Sequence, residues 1–285
     1  MPGERTESDA SGIYMVDIRV RKASLLERLI PAARDDGASL VPEDRVNPVG
    51  VSEQERREQS LNEMSRSQQI AVAVALRELG YDVEVTPIGA EVVLVLPDSP
   101  ADGMLEPGDV IVEVRGRAVS SPDEVAEAME DVQPGSSVVW GIRRDGRTRK
   151  VTLRTRAAQD EPGRAVVGVQ IEEAAEIDFP LDIRIDAGDV GGPSAGLAFA
   201  LDVVDELGRE VDRGRRIAVT GALDLRGNVE PIGGVKQKTF GARLADADIF
   251  VVPEDNVAEA RRYAGDLRVI AVSSFSEALS VLATM

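Results

Sequence analysis

The chain has 285 residues, enough for two ordinary domains, and its 43% apolar and 29% charged residues suit a folded globular protein; with 3% aromatics the core must be mostly Val, Ile, Leu and Ala. With 33 Lys and Arg against 51 Asp and Glu the net charge is −18, which repels phosphate backbones and argues against nucleic acid as a partner. Zero cysteine removes disulfides and thiolate nucleophiles, and zero histidine removes every Ser-His-acid triad and the usual zinc ligands, so a hydrolase here needs lysine or a carboxylate as its base, and no metal or cofactor is expected.

The leader MPGERTESDASG is polar and unlike a signal peptide, and no window reaches the roughly 20 apolar residues of a membrane helix. IYMVDIRV (13–20) alternates as a strand does, and KASLLERLI predicts a short helix ended by Pro31. Residues 35–50 are turn-rich. A long helix starts at Ser52, with Glu55 in capping-box spacing and Gly80 just past its end; its second half, IAVAVAL, is apolar. Residues 1–85 thus read as an N-terminal segment packed on the rest.

EVVLVLPDSPADGMLEPGDVIVEVRGRAV predicts strand, turn and strand, followed by a helix capped by Ser121, Pro122 and Glu124. VVWGIRRDGRTRKVTLRT predicts two strands around the Asp145-Gly146 turn. The run SPADGMLEPGDVIVEVRGRAV resembles PDZ domains of the bacterial type, here over residues 86–157. The resemblance implies a groove between the strand starting near Glu91 and the helix of Val125 and Met129, where a peptide adds as a further strand, with Gly89, Glu91, Val92, Val125 and Met129 lining it. Val125 and Met129 share a helix face, and a role in the core fits them as well as a role in the groove.

AQDEPGR (158–164) predicts a linker. Beyond it VVGVQI, LDIRID, RIAVTGAL, IFVVP and LRVIAV alternate with helices, an α/β domain over 165–285 whose last helix is capped by Ser274 and Glu277. Within it, GGPSAG (191–196) leads into the apolar run LAFAL, which puts Ser194 at a helix N-terminus, where N–H groups and the helix dipole can hold an oxyanion. Ser is also among the best helix caps, and the hexapeptide taken alone favours that reading. A nucleophile needs a base. Lys236 and Lys238 follow a Gly-Gly turn opening another helix; two residues apart, they project to nearly opposite faces, so only one can reach a site in the core. A desolvated lysine there would have its pKa lowered towards a usable base.

GPSAG (192–196) and TGALDLRGNVEPIGGVKQK (220–238) together resemble the proteolytic domain of the Lon family, over about 120 residues. The resemblance implies Ser194 as nucleophile, Lys236 as its base, Thr220 as an orienting hydroxyl, and backbone N–H groups around Gly192 to Ser194 as the oxyanion hole, with Gly191 and Gly192 supporting. Lon proteases carry an acid where Gly191 stands; Asp189 is the nearest alternative. TGE reads TGA here, with Ala222. No G-x-x-x-x-G-K-[ST] phosphate loop occurs.

The expected fold is therefore α+β and multidomain, a β-sandwich or barrel-like PDZ module before an α/β Lon-type proteolytic domain. The expected function is an ATP-independent serine endopeptidase with a Ser/Lys dyad, binding peptides or unfolded proteins but no nucleotide or nucleic acid. Two other readings are a PDZ peptide-binding adaptor of weak or lost activity, and a self-processing protein that cuts only itself. By resemblance, the full-length form is membrane-anchored and extracytoplasmic, the sequence at hand being a trimmed or unanchored form, and a homo-oligomeric ring is expected.

Overall fold

A computed structural model describes residues 11–30, 32, 34, 37–42, 53–188 and 190–285. The chain divides into two compact units. One holds residues 60–83 and 179–285 with the described part of the first 46; the other holds residues 53–59 and 84–178. Among the described residues no helix is long and apolar enough to cross a membrane.

The N-terminal elements are a strand β1 (Gly12–Met15), a short helix α1 (Leu25–Leu29) and a long helix α2 (Glu53–Glu78). The expected strand over 13–20 is thus only its first half. The Ser24 hydroxyl accepts from the Glu27 N–H while the Glu27 carboxylate accepts from the Ser24 N–H at 2.8 Å, a complete capping box on α1. The capping box expected from Ser52 and Glu55, like Pro31 and Asp189, lies outside the described residues. At the far end of α2, Gly80 takes φ +86° and the Tyr81 N–H donates to the Leu76 carbonyl, closing the helix as expected. The apolar run of α2 is buried from Ile70 to Leu76.

The second unit is built on one sheet. Its strands are β2 (Glu84–Val95), β3 (Val110–Val114) with the short β4 (Arg117–Ala118), β5 (Ser137–Arg144) and β6 (Arg147–Arg154), and helix α3 (Pro122–Met129) packs on them. Ser121 caps α3 through the Glu124 N–H. The β5–β6 hairpin turns at Asp145 (φ 51°) and Gly146 (φ 71°), the left-handed pair that a two-residue hairpin requires, and keeps its register along both strands. The core gathers Trp140, Ile111, Val92, Val114, Ile142 and Leu153. A two-stranded ribbon, β7 (Arg156–Ala157) with β8 (Ala165–Val166), precedes β9 (Val169–Asp178). β9 pairs antiparallel with β2 along nearly all of β2, giving the order β6-β5-β3-β2-β9. VVGVQI, expected in the C-terminal domain, therefore supplies a strand to this sheet.

The first unit carries a parallel sheet of order β1-β10-β13-β14, with β10 (Arg216–Val219), β13 (Ile249–Pro253) and β14 (Arg268–Val272). All five residues of β13 are buried, as expected of a parallel strand covered on both faces. A small antiparallel pair joins β11 (Ala222–Leu223) to β12 (Val229–Glu230). Four helices complete the unit: α4 (Gly196–Glu206), α5 (Val235–Leu244), α6 (Val257–Tyr263) and α7 (Phe275–Ala283), the last capped by Ser274 as expected. LDIRID, expected as a strand, is irregular.

Candidate active site

α4 is almost wholly buried, and its N-terminus, with Ser194 just ahead of it, is tied to the segment after β10, where the Leu197 N–H donates to the Gly221 carbonyl. The cap position is Ala195, with no side-chain hydrogen bond, so Ser194 does not cap the helix. Its hydroxyl is engaged elsewhere: the Lys238 ammonium donates to Ser194 Oγ at 2.7 Å and to Thr220 Oγ1 at 2.9 Å. Thr220 is fully buried; its hydroxyl donates to the Ser194 carbonyl at 3.2 Å, which leaves its lone pairs for the lysine. The next residue ties the same group, because the Gly221 N–H donates to the Ser194 carbonyl at 2.9 Å.

The lysine that reaches Ser194 is Lys238, not Lys236. α5 starts at Val235 after Gly234, which adopts the left-handed φ of 69°. Its buried residues are Val235, Lys238, Thr239 and Ala242, a stripe at i, i+3, i+4 and i+7 facing a core that includes Ala218 and Phe250. Lys236 stands one position off that stripe. Its ammonium donates to the Ala38 carbonyl and Ser39 hydroxyl, at 3.5 and 3.4 Å, and lies over the Tyr263 ring. Counting apolar positions from Val235 would have identified the inward lysine. The motif alone did not, since both lysines satisfy it.

Lys238 is 3% exposed. Burial disfavours its ammonium form and pulls its pKa down to about 8; the Asp17 carboxylate opposes the shift. A cation at 3% exposure with hydroxyls rather than a carboxylate against it is a group set to lose its proton.

The oxyanion donors also differ from expectation. The Gly192 N–H already donates to the Ser60 carbonyl at 3.0 Å, and Pro193 has no N–H. Among the described residues, the N–H groups of Ser194 and Ala195 make no hydrogen bond and stand at the positive end of α4. A Cβ on Gly191 would lie 2.2 Å from Ser60 Oγ, so a side chain there requires Ser60 to shift. Ala222 is buried in β11.

In the second unit the strand edge expected to line the groove is already paired. The strand carrying Glu91 and Val92 has β3 on one edge and β9 on the other, so no peptide can add there. Gly89 is a packing requirement of that strand: at φ 148°, a Cβ would meet the Ile111 carbonyl oxygen at 2.3 Å. Val92 and Val125 are core residues, and Met129 is half-buried against the same core. The strands at the two ends of the sheet are β6 and β9, and Val169 and Ile171 of β9 also pack on that core.

Comparison with known proteins finds the same two kinds of domain but bounds them differently from the two compact units. Residues 166–284 match the family model of the Lon protease C-terminal proteolytic domain, and residues 60–155 match that of the PDZ domain. The chain therefore carries a PDZ domain followed by a Lon-type proteolytic domain. Lon protease 1 of Sorangium cellulosum is 41% identical over 110 residues, 35% of this chain and 13% of that protein. The Lon protease of Rickettsia typhi is 35% identical over 108 residues, 36% of this chain and 14% of that protein. The chain thus spans only a small fraction of the length of these relatives. Among solved structures, the PDZ domain of the SdrC-like protein from Listeria monocytogenes matches at 25% identity, covering 31% of this chain and 92% of that one, with a TM-score of 0.29.

Proposed function

We propose that the protein is a serine endopeptidase that works without ATP, with Ser194 as nucleophile and Lys238 as general base. The observation that carries this reading is the 2.7 Å approach of a buried lysine nitrogen to the serine oxygen. In the neutral state of Lys238, Nζ takes the Ser194 proton as Oγ attacks a peptide carbonyl; the resulting ammonium then returns a proton to the departing amine. Water repeats the cycle on the acyl-enzyme. Thr220 fixes the direction of Nζ, and the N–H groups of Ser194 and Ala195 receive the oxyanion. None of these steps draws on a nucleotide. The PDZ domain supplies the substrate edge: an extended peptide adds along β9 beside α3.

The test is cleavage of an unfolded protein such as casein in the absence of nucleotide. Wild type should cut, and Ser194→Ala and Lys238→Met should not, while Lys236→Met should. Retained cleavage by Ser194→Ala refutes the nucleophile, and peptide binding by an uncut, unlabelled wild type supports the adaptor instead.

A further inference from the structure

We infer that α2, a helix outside the two motifs, positions the oxyanion-binding N–H of Ser194, and that Ser67 is the residue through which it does so. The inference rests on the catalytic reading above. Three contacts carry it. The Ser67 hydroxyl, on a residue only 5% exposed, donates to the Pro193 carbonyl at 3.1 Å. The Gly192 N–H donates to the Ser60 carbonyl at 3.0 Å, and the Gln68 amide donates to the Ile185 carbonyl at 3.3 Å. Ser60 and Ser67 are two helical turns apart and so lie on one face of α2.

The Pro193 carbonyl and the Ser194 N–H belong to one peptide group. That group is planar and trans, so its C=O and N–H point in opposite directions. Holding the oxygen on Ser67, together with the Gly196 N–H that donates to it at 3.3 Å, therefore aims the hydrogen away from α2. A helical serine ordinarily returns its hydroxyl to its own helix at the i−4 carbonyl; Ser67 instead spends it across the fold. Glycine at 191 is what lets α2 approach this closely, since a Cβ there would lie 2.2 Å from Ser60 Oγ and 3.0 Å from Ser60 Cβ. Gly196 packs less tightly against Ser67, whose Oγ would sit 3.0 Å from an added Cβ.

The test separates positioning from folding by comparing a substrate with a tetrahedral adduct. In the full chain, Ser67→Ala should lower kcat about 10-fold with KM unchanged, since one oxyanion donor is worth roughly 100-fold or more and here it is misaimed rather than removed. A peptide aldehyde, whose adduct carries the oxyanion, should lose affinity by the same factor, and the pH limb assigned to Lys238 should stay in place. Gly191→Ala should produce the same selective loss, and adding Ser60→Gly should recover part of it. Equal kcat and aldehyde affinity in wild type and Ser67→Ala would overturn the inference. So would a loss in which KM rises and the aldehyde is affected no more than the substrate. Both outcomes leave the Ser194–Lys238 assignment standing, because that falls only if Ser194→Ala remains active.

Discussion

The two units each bury a charge, and they treat it in opposite ways. In the PDZ unit the Asp109 carboxylate is 1% exposed, and Arg144 grips both of its oxygens at 2.6 Å. A backbone N–H from Glu106 adds a third bond at 2.9 Å, and the carboxylate beside it holds the guanidinium pKa above its ordinary value. In the proteolytic unit Lys238 is as deeply buried, yet its ammonium meets two hydroxyls and makes no ion pair among the described residues. A paired charge keeps its proton state and locks a fold; a buried one without a counter-ion is pushed towards its neutral form.

Four expectations sharpen this contrast. The largest effect should come from Lys238→Met, with kcat down on the order of 10,000-fold, the scale of losing a member of a nucleophile–base unit. Fluorophosphonate labelling of Ser194 and casein cleavage measure it. Next, Arg144→Met should strand the Asp109 carboxylate and destabilise the PDZ unit by about 3 kcal/mol, read by urea denaturation.

A third expectation is pH dependence. Since only neutral Lys238 can accept a proton, kcat/KM should rise with pH through a limb near pH 8, the value to which burial brings the lysine. Stability should follow the same group. Between that pH and the ordinary lysine value of 10.5 the unfolded chain binds more protons than the folded one, so stability rises with pH across this window. Below it the full cost of burying the ammonium is present, on the order of 3 kcal/mol, and Lys238→Met should be more stable than wild type at pH 7. A flat profile, or a limb that survives in Lys238→Met, would break the comparison. The smallest effect belongs to Lys236→Met, whose kcat should stay within about twofold of wild type, its lysine being on the outer face of α5.

Much of this was legible in residues. Asp145-Gly146 announced its hairpin, Ser121 and Ser274 their helices, and GPSAG its serine, because each depends on backbone and side-chain preferences within a few positions. The choice of lysine was partly legible: Val235, Thr239 and Ala242 mark the inward face of α5, and Lys238 lies on it. The open sheet edge was not. Nothing local to Glu91 says that β9 will cover its strand, nor to Gly12–Met15 that it will pair with β10.

By itself the amino-acid order determined which groups were available for chemistry, a serine at a helix mouth and two lysines with no histidine anywhere, because composition and local periodicity are properties of the chain. Tertiary structure alone decided which lysine met the serine, which edge of the Glu91 strand was covered, and that α2 would press on Gly191. Each of those outcomes depends on desolvation and on contacts between residues far apart in sequence, and neither exists until the chain has folded.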